Sequence, residues 1–133
     1  MTTVRRIIIA MGSNHQQQTH LDMARKLLRD AFPDVSFTEA IWTEPIGIIS
    51  DRYLNGLAVA ATMLNEEETT AKLKEIERLC GDTHLLRQRN IVNMDLDLLS
   101  FGAKRRHEGD WDRPYIKRLL QCLDTSLSSS HSC

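Results

Sequence analysis

Asp95 and Asp97 stand two residues apart in the run NIVNMDLDLLSFG, residues 90 to 102. Val92, Met94, Leu96 and Leu98 alternate there with Asn93, Asp95, Asp97 and Leu99, which reads as a β-strand. On a strand, positions i and i+2 share a face and lie about 6.6 Å apart along the chain. Two carboxylates so placed raise each other's pKa. Paired with Mg²⁺ they become hard oxygen ligands, and that ion takes one or two carboxylates together with substrate phosphates. Two such ions would clamp a transferring phosphoryl group from both sides. The plainer reading is a solvent-facing strand surface with polar residues on it.

Metal-bound polyphosphate needs positive neighbours. Eight of the 17 basic residues fall between Arg87 and Arg118, namely Arg87, Arg89, Lys104, Arg105, Arg106, Arg113, Lys117 and Arg118. Arg87, Arg89 and Arg106 flank the aspartate strand and are the candidates for phosphate. The alternative is a solvated basic face. The 17 basic and 18 acidic residues leave a formal net charge of −1, so a bulk basic field for nucleic acid is absent.

At 133 residues the chain suggests one domain, and 41% hydrophobic with 26% charged residues is ordinary globular composition. Cys80, Cys122 and Cys133 are odd in number and have no CxxC spacing, so neither a disulfide framework nor a zinc site follows. The N-terminal apolar run, Ile7 to Ala10, is too short for a signal segment or a membrane span. No membrane partner and a cytoplasmic, reducing location are the expectations.

The elements that must position the aspartates follow from periodicity and punctuation. Residues 4–11 read as a buried strand ended by Gly12, and 12–20 as a polar loop. Thr19 with Asp22 resembles a capping box, and Leu21, Ala24, Leu27, Leu28 and Ala31 give a helix that Pro33 ends. Residues 35–43 alternate as a second strand. Pro45 and Gly47 punctuate a loop, and 53–63 form a third strand in which Gly56 marks a bulge or close approach. Asn65 with Glu68 caps a second helix bearing Leu73, Ile76, Leu79 and Cys80, with Gly81 at its end. A polar, basic loop over 82–90 precedes the aspartate strand. Residues 113–123 read as a last short helix with Pro114 in its first turn. The order β-α-β-β-α-β is the ferredoxin-like α+β arrangement, an antiparallel sheet with helices on one face, plus a short C-terminal helix. Residues 1–124 are expected to be a single domain and 125–133 a disordered tail.

Several segments come in a set order: AMGSN after the first strand, TEPIG after the second, YLNGLAVAAT as the third, IERLCG at a helix end, and DLDLLSFG as the last. Together they resemble the 6-hydroxymethyl-7,8-dihydropterin pyrophosphokinase family of folate biosynthesis. The resemblance runs from about residue 5 to 102 and resumes at RPYIKRLL. It implies transfer of diphosphate from ATP to the hydroxymethyl group of a dihydropterin, with two Mg²⁺ held by Asp95 and Asp97. It also implies a pterin pocket of Thr43, Pro45, Tyr53 and Asn55, with Tyr115 as the second ring of a sandwich. Glu77, Arg87, Arg89 and His107 then belong to the nucleotide side, and Arg113 to the catalytic set. Loops 44–52 and 82–92 would order over the substrates.

The chain departs from the family's pattern before the aspartate strand. It has LRQRNIVNMDLD there, with Val92 at a position of an arginine and Arg89 at that of a tryptophan. Asp82 and His84 stand where some members have arginines, and the segment from Gly102 to His107 is short. Two other readings therefore stand beside the enzyme: a pterin- or nucleotide-binding module without turnover, and a ferredoxin-like interaction domain. A monomer or weak homodimer is expected, since the open edge of a four-stranded sheet permits pairing.

Overall fold

The first strand is the centre of the molecule. In the computed structural model, which describes residues 3–128, β1 (Arg5–Ser13) pairs antiparallel with β4 (Tyr53–Thr62) on one side and β5 (Asp95–Phe101) on the other. The two short strands β2 (Ser36–Phe37) and β3 (Ile41–Thr43) both pair with the far edge of β4. A two-residue strand β6 (Lys104–Arg105) adds to β5 at Ser100 and Phe101. The resulting order, β2-β4-β1-β5-β6, is the ferredoxin-like sheet with one short strand appended. β6 pairs only at Ser100 and Phe101, so among the described residues the outer edge of β5 at Asp95–Leu98 has no neighbouring strand.

The two faces carry different loads. Ile7, Ile9 and Met11 of β1 and Leu96 and Leu98 of β5 point to one side. There they bury against Leu21, Ala24 and Leu28 of α1 (Gln17–Ala31) and Leu73 and Ile76 of α2 (Glu66–Leu79). Each Leu, Ile or Met side chain so buried contributes about 1.5–3 kcal/mol. On the opposite face Leu57 and Leu99 meet Ile116, Leu119 and Leu123 of α5 (Pro114–Ser128). The helices of the βαββαβ unit thus share one face, and α5 covers part of the other.

The expected elements recur with physical corrections. Helix α1 starts two residues before Thr19, and its N-cap is Gln16 at φ 43° with no side-chain cap bond. Thr19 and Asp22 are therefore not a capping box; the Gln18 amide donates to Asp22 instead, at 2.9 Å. The Asn65–Glu68 capping box is present in full, with bonds of 2.8 and 3.0 Å.

The second strand is split. The Thr38 hydroxyl accepts from the Leu57 N–H at 2.9 Å, and residues 38–40 oppose only Gly56 and Leu57. That extra residue is a bulge, and Gly56 is where the backbone of Glu39 comes close. Two short helices lie within the loops, α3 (His84–Gln88) and α4 (Glu108–Trp111). The last helix is longer than expected, so residues 125–128 continue it. The rest of the expected disordered tail, 129–133, lies outside the described residues.

Candidate active site

The register of β5 on β1 sets Asp97 opposite Ala10 and Asp95 opposite Gly12. On the other flank of β1, Gly12 faces Asn55 and Ala10 faces Leu57. Alternation then puts Asp95, Asp97, Tyr53 and Asn55 on the α5 face, beyond the end of the apolar patch. Helix α5 covers Leu57 and Leu99 but not these four.

What remains open is a cavity of about 230 Å³. Tyr53, Asn55 and Thr43 form one wall, and Asp95 and Asp97 another, with Asp110, Arg113 and Tyr115 beyond. Asn55 is 6% exposed and its amide N–H donates to the Thr43 hydroxyl. Gly12 makes this possible, because a Cβ there would lie 2.6 Å from Asn55 Oδ1. The Asn55 carbonyl oxygen has no hydrogen-bond donor among the described residues. Burial raises the pKa of both tyrosines, so their rings are neutral aromatic surfaces.

Asp97 is perturbed by burial first and by its neighbour second. Burial, and then the charge of Asp95 and a hydrogen bond with it, push Asp97 up to about 8. Asp110 and Glu77 push the same way. One proton is therefore held near the pair at neutral pH, where a divalent cation would replace it. Among the described residues no group of three or more His, Cys, Asp or Glu side chains forms a metal site. The protein thus offers a two-carboxylate set, which fits an ion that completes its shell with phosphate oxygens and water.

Behind the pair lies a groove along the open edge of β5. One part, about 440 Å³, is lined by Lys74, Glu77, Arg78, Asp82, His84 and Arg87 with Asp95 and Asp97. The other, about 280 Å³, runs past Glu66, Thr70, Arg106 and His107. Glu77 accepts from the outward-facing Leu96 N–H at 2.7 Å. Burial raises its pKa, and the Leu96 bond opposes this.

Arg87 lies among acids: 2.6 Å from Asp82, 3.4 Å from Asp95 and 3.8 Å from Glu77. Burial is the largest single influence and opposes its charge, but the Asp82 hydrogen bond and the charges of Asp95, Asp82 and Glu77 together outweigh it and raise its pKa. Asp82 also accepts from the Asn93 N–H at 3.0 Å, so Arg87 and Asp82 together tie α3 to β5.

The sequence-predicted residues thus fall into two groups. Asp95, Asp97, Arg113, Thr43, Tyr53, Asn55 and Tyr115 converge on the first cavity. Glu77, Arg87 and His107 line the groove. Pro45 and Arg89 line none of these three cavities, although Glu44 and Ile46 beside Pro45 reach the first. Arg89 ends α3, and its side chain is exposed.

Sequence reasoning did not single out Asp110. It bonds Arg113 Nε at 2.9 Å, and the three-residue spacing was its only signal. Arg105 stacks over Trp111 at 4.2 Å, and the Trp111 indole donates to the Arg106 carbonyl at 2.9 Å. These contacts pin α4, and with it Asp110, to β6.

Residues 8–125 match the family model of 7,8-dihydro-6-hydroxymethylpterin-pyrophosphokinase. The chain belongs to this family. The matched span contains every site residue from Thr43 to Tyr115. A mitochondrial folate synthesis bifunctional protein of Pisum sativum is 30% identical over 135 residues. The alignment covers 92% of this chain but 26% of that protein, so the chain spans about a quarter of the relative's length. No helix among the described residues is long and apolar enough to cross a membrane.

Proposed function

We propose that the protein transfers diphosphate from ATP to 6-hydroxymethyl-7,8-dihydropterin, as a step of folate synthesis. The observation that carries this is the convergence of Asn55, two tyrosines and two aspartates on one cavity within a chain of this family. The pterin would lie between Tyr53 and Tyr115, its edge read by the open Asn55 carbonyl and by backbone nearby. ATP would follow the groove behind Asp95 and Asp97. The hydroxymethyl oxygen attacks the β-phosphorus and gives up its proton to solvent, the bond from that phosphorus to the oxygen of the α-phosphate breaks, and AMP leaves.

Asp95 and Asp97 would hold two Mg²⁺ with the phosphates. Bound there, the ions supply charge neutralisation on the transferring group. The chain's own residues position and exclude water. Arg113 is released from Asp110 to meet phosphate, and Ile46 on loop 44–52 closes over the pterin. His107 flanks the nucleotide groove. The cytoplasm is the location we propose, although the pea relative carries a mitochondrial name.

A second reading, a pterin-binding module without turnover, is favoured by the pairing of Arg87 with Asp82, which withholds a cation from phosphate. Calorimetry with the dihydropterin, with and without a non-hydrolysable Mg-ATP analogue, tests both ligands. AMP release with Mg-ATP and pterin together separates the enzyme from the module. Pterin binding with no AMP would establish the module, and absence of pterin binding would remove both readings.

A further inference from the structure

The groove behind the aspartates presents a problem of charge. A nucleotide polyphosphate carries several negative charges, and Asp95, Asp97, Glu77 and Asp82 already line its path. Arg87 is engaged by Asp82 at 2.6 Å, and Arg106 is held by both oxygens of Glu66 at 2.6 and 2.8 Å. Neither guanidinium turns to phosphate without breaking a charge-assisted bond.

Lys74 differs from both. It is exposed on α2 and takes part in no hydrogen bond or ion pair within the described residues. It lines both parts of the groove, as do Leu96 and Asp97, so it stands at the junction where the two parts meet beside Asp97. Glu66, Thr70, Lys74 and Arg78 follow one another at four-residue spacing along the helix, which places one stripe of α2 on the groove. The charge of Lys74 is felt at Glu77, whose pKa it lowers against the larger effect of burial. The next lysine on the helix, Lys72, is paired with Glu75 at 3.1 Å and lines neither part of the groove.

We propose that Lys74 is a positioning residue for the nucleotide, its ammonium meeting the polyphosphate across the groove from Asp97. This rests on the functional reading above and supplies the cation that Val92 does not offer. A flexible four-carbon stem with three donors suits phosphates that shift during transfer.

The test is calorimetric titration of the intact protein with Mg-bound β,γ-methylene ATP at several salt concentrations. Lys74→Ala should weaken binding about tenfold, the scale of one lost charge-assisted bond, and flatten its salt dependence. Lys74→Arg should restore most of the affinity. Dihydropterin affinity and the melting temperature should not change in either variant, and Lys72→Ala should bind nucleotide like the parent. A Lys74→Ala variant that binds as tightly as a nucleotide-binding parent, with the same salt slope, overturns the proposal alone. A parent that binds no Mg-nucleotide at all overturns the functional reading together with it.

Discussion

The two sides of the aspartate pair are built on opposite plans. On the side we propose for the pterin, polar groups are fixed before any ligand arrives: Asn55 is buried, bonded to Thr43, and seated over Gly12. On the side we propose for the nucleotide, charges are paired with each other in an open groove, as in Arg87–Asp82 and Arg106–Glu66. The first site has one open carbonyl to satisfy and one ion pair, Arg113–Asp110, at its far end, and the second would exchange several partners on phosphate entry. A rigid recognition pocket and a rearranging charge network meet at Asp97, which lines both. Recognition and transfer are therefore separable by mutation, and the effects should differ in kind.

The largest effect expected short of lost turnover concerns Asp97 and pH. Its folded pKa, about 8, lies above the usual 3.8. Between those values the folded state holds a proton that the unfolded chain has released. Stability contributed by protonated Asp97 is fully present below about pH 4 and is lost as pH rises to about 8. The slope is at most ~1.4 kcal/mol per pH unit. Asp97→Asn should flatten this slope and melt at or above the parent at pH 8. Thermal melts across pH 5 to 9 measure it, and an unchanged slope in the variant would mean that the strain lies elsewhere. Mg-nucleotide affinity should rise over the same window, since cation and proton compete.

Gly12→Ala should come next. A Cβ 2.6 Å from Asn55 Oδ1 must displace the amide, at a cost of about 1–3 kcal/mol in stability. Pterin affinity should fall while the nucleotide groove, which Gly12 does not line, keeps its ligand. Equal losses for both ligands would deny that the two sides are separate.

Asn55→Ala should weaken pterin binding by about 1–3 kcal/mol, because the ligand edge loses its partner. Titration with the dihydropterin checks it, and an unchanged affinity would remove Asn55 from the pocket's recognition role. The smallest effect belongs to Arg87→Ala. It leaves Asp82, 7% exposed, without its ion pair, but the Arg87 side chain is itself 37% exposed and solvent screens the loss. A stability drop of about 1–2 kcal/mol is expected from chemical denaturation. Nucleotide affinity should change less in this variant than in Lys74→Ala.

Much of this comparison was legible in the sequence because strand alternation is a strict geometric rule. Asp95 and Asp97 share a face whatever surrounds them, and so do Tyr53 and Asn55, on the two strands that flank β1. Asp110, Lys74 and the Asp82–Arg87 bond were not legible, because they depend on how helices and loops pack onto the sheet. No local spacing tells that Arg87 faces an acid five residues earlier rather than a phosphate. The same limit hid α3 and α4, whose four or five residues carry too little periodicity to stand out from a polar loop. Thr19 and Asp22 misled for the converse reason: the right residue types sat inside the helix rather than at its cap.

The central claim is that one pair of carboxylates joins a pterin pocket to a nucleotide groove for diphosphate transfer. Its most direct test is AMP formation from ATP with 6-hydroxymethyl-7,8-dihydropterin, with and without Mg²⁺, for the parent, Asp95→Asn and Asp97→Asn. The account predicts Mg²⁺-dependent AMP in the parent. Each variant should lose at least about a hundredfold in rate, with dihydropterin affinity nearly intact. Either variant turning over at the parent's rate, or a parent that binds both ligands yet forms no AMP, would contradict it.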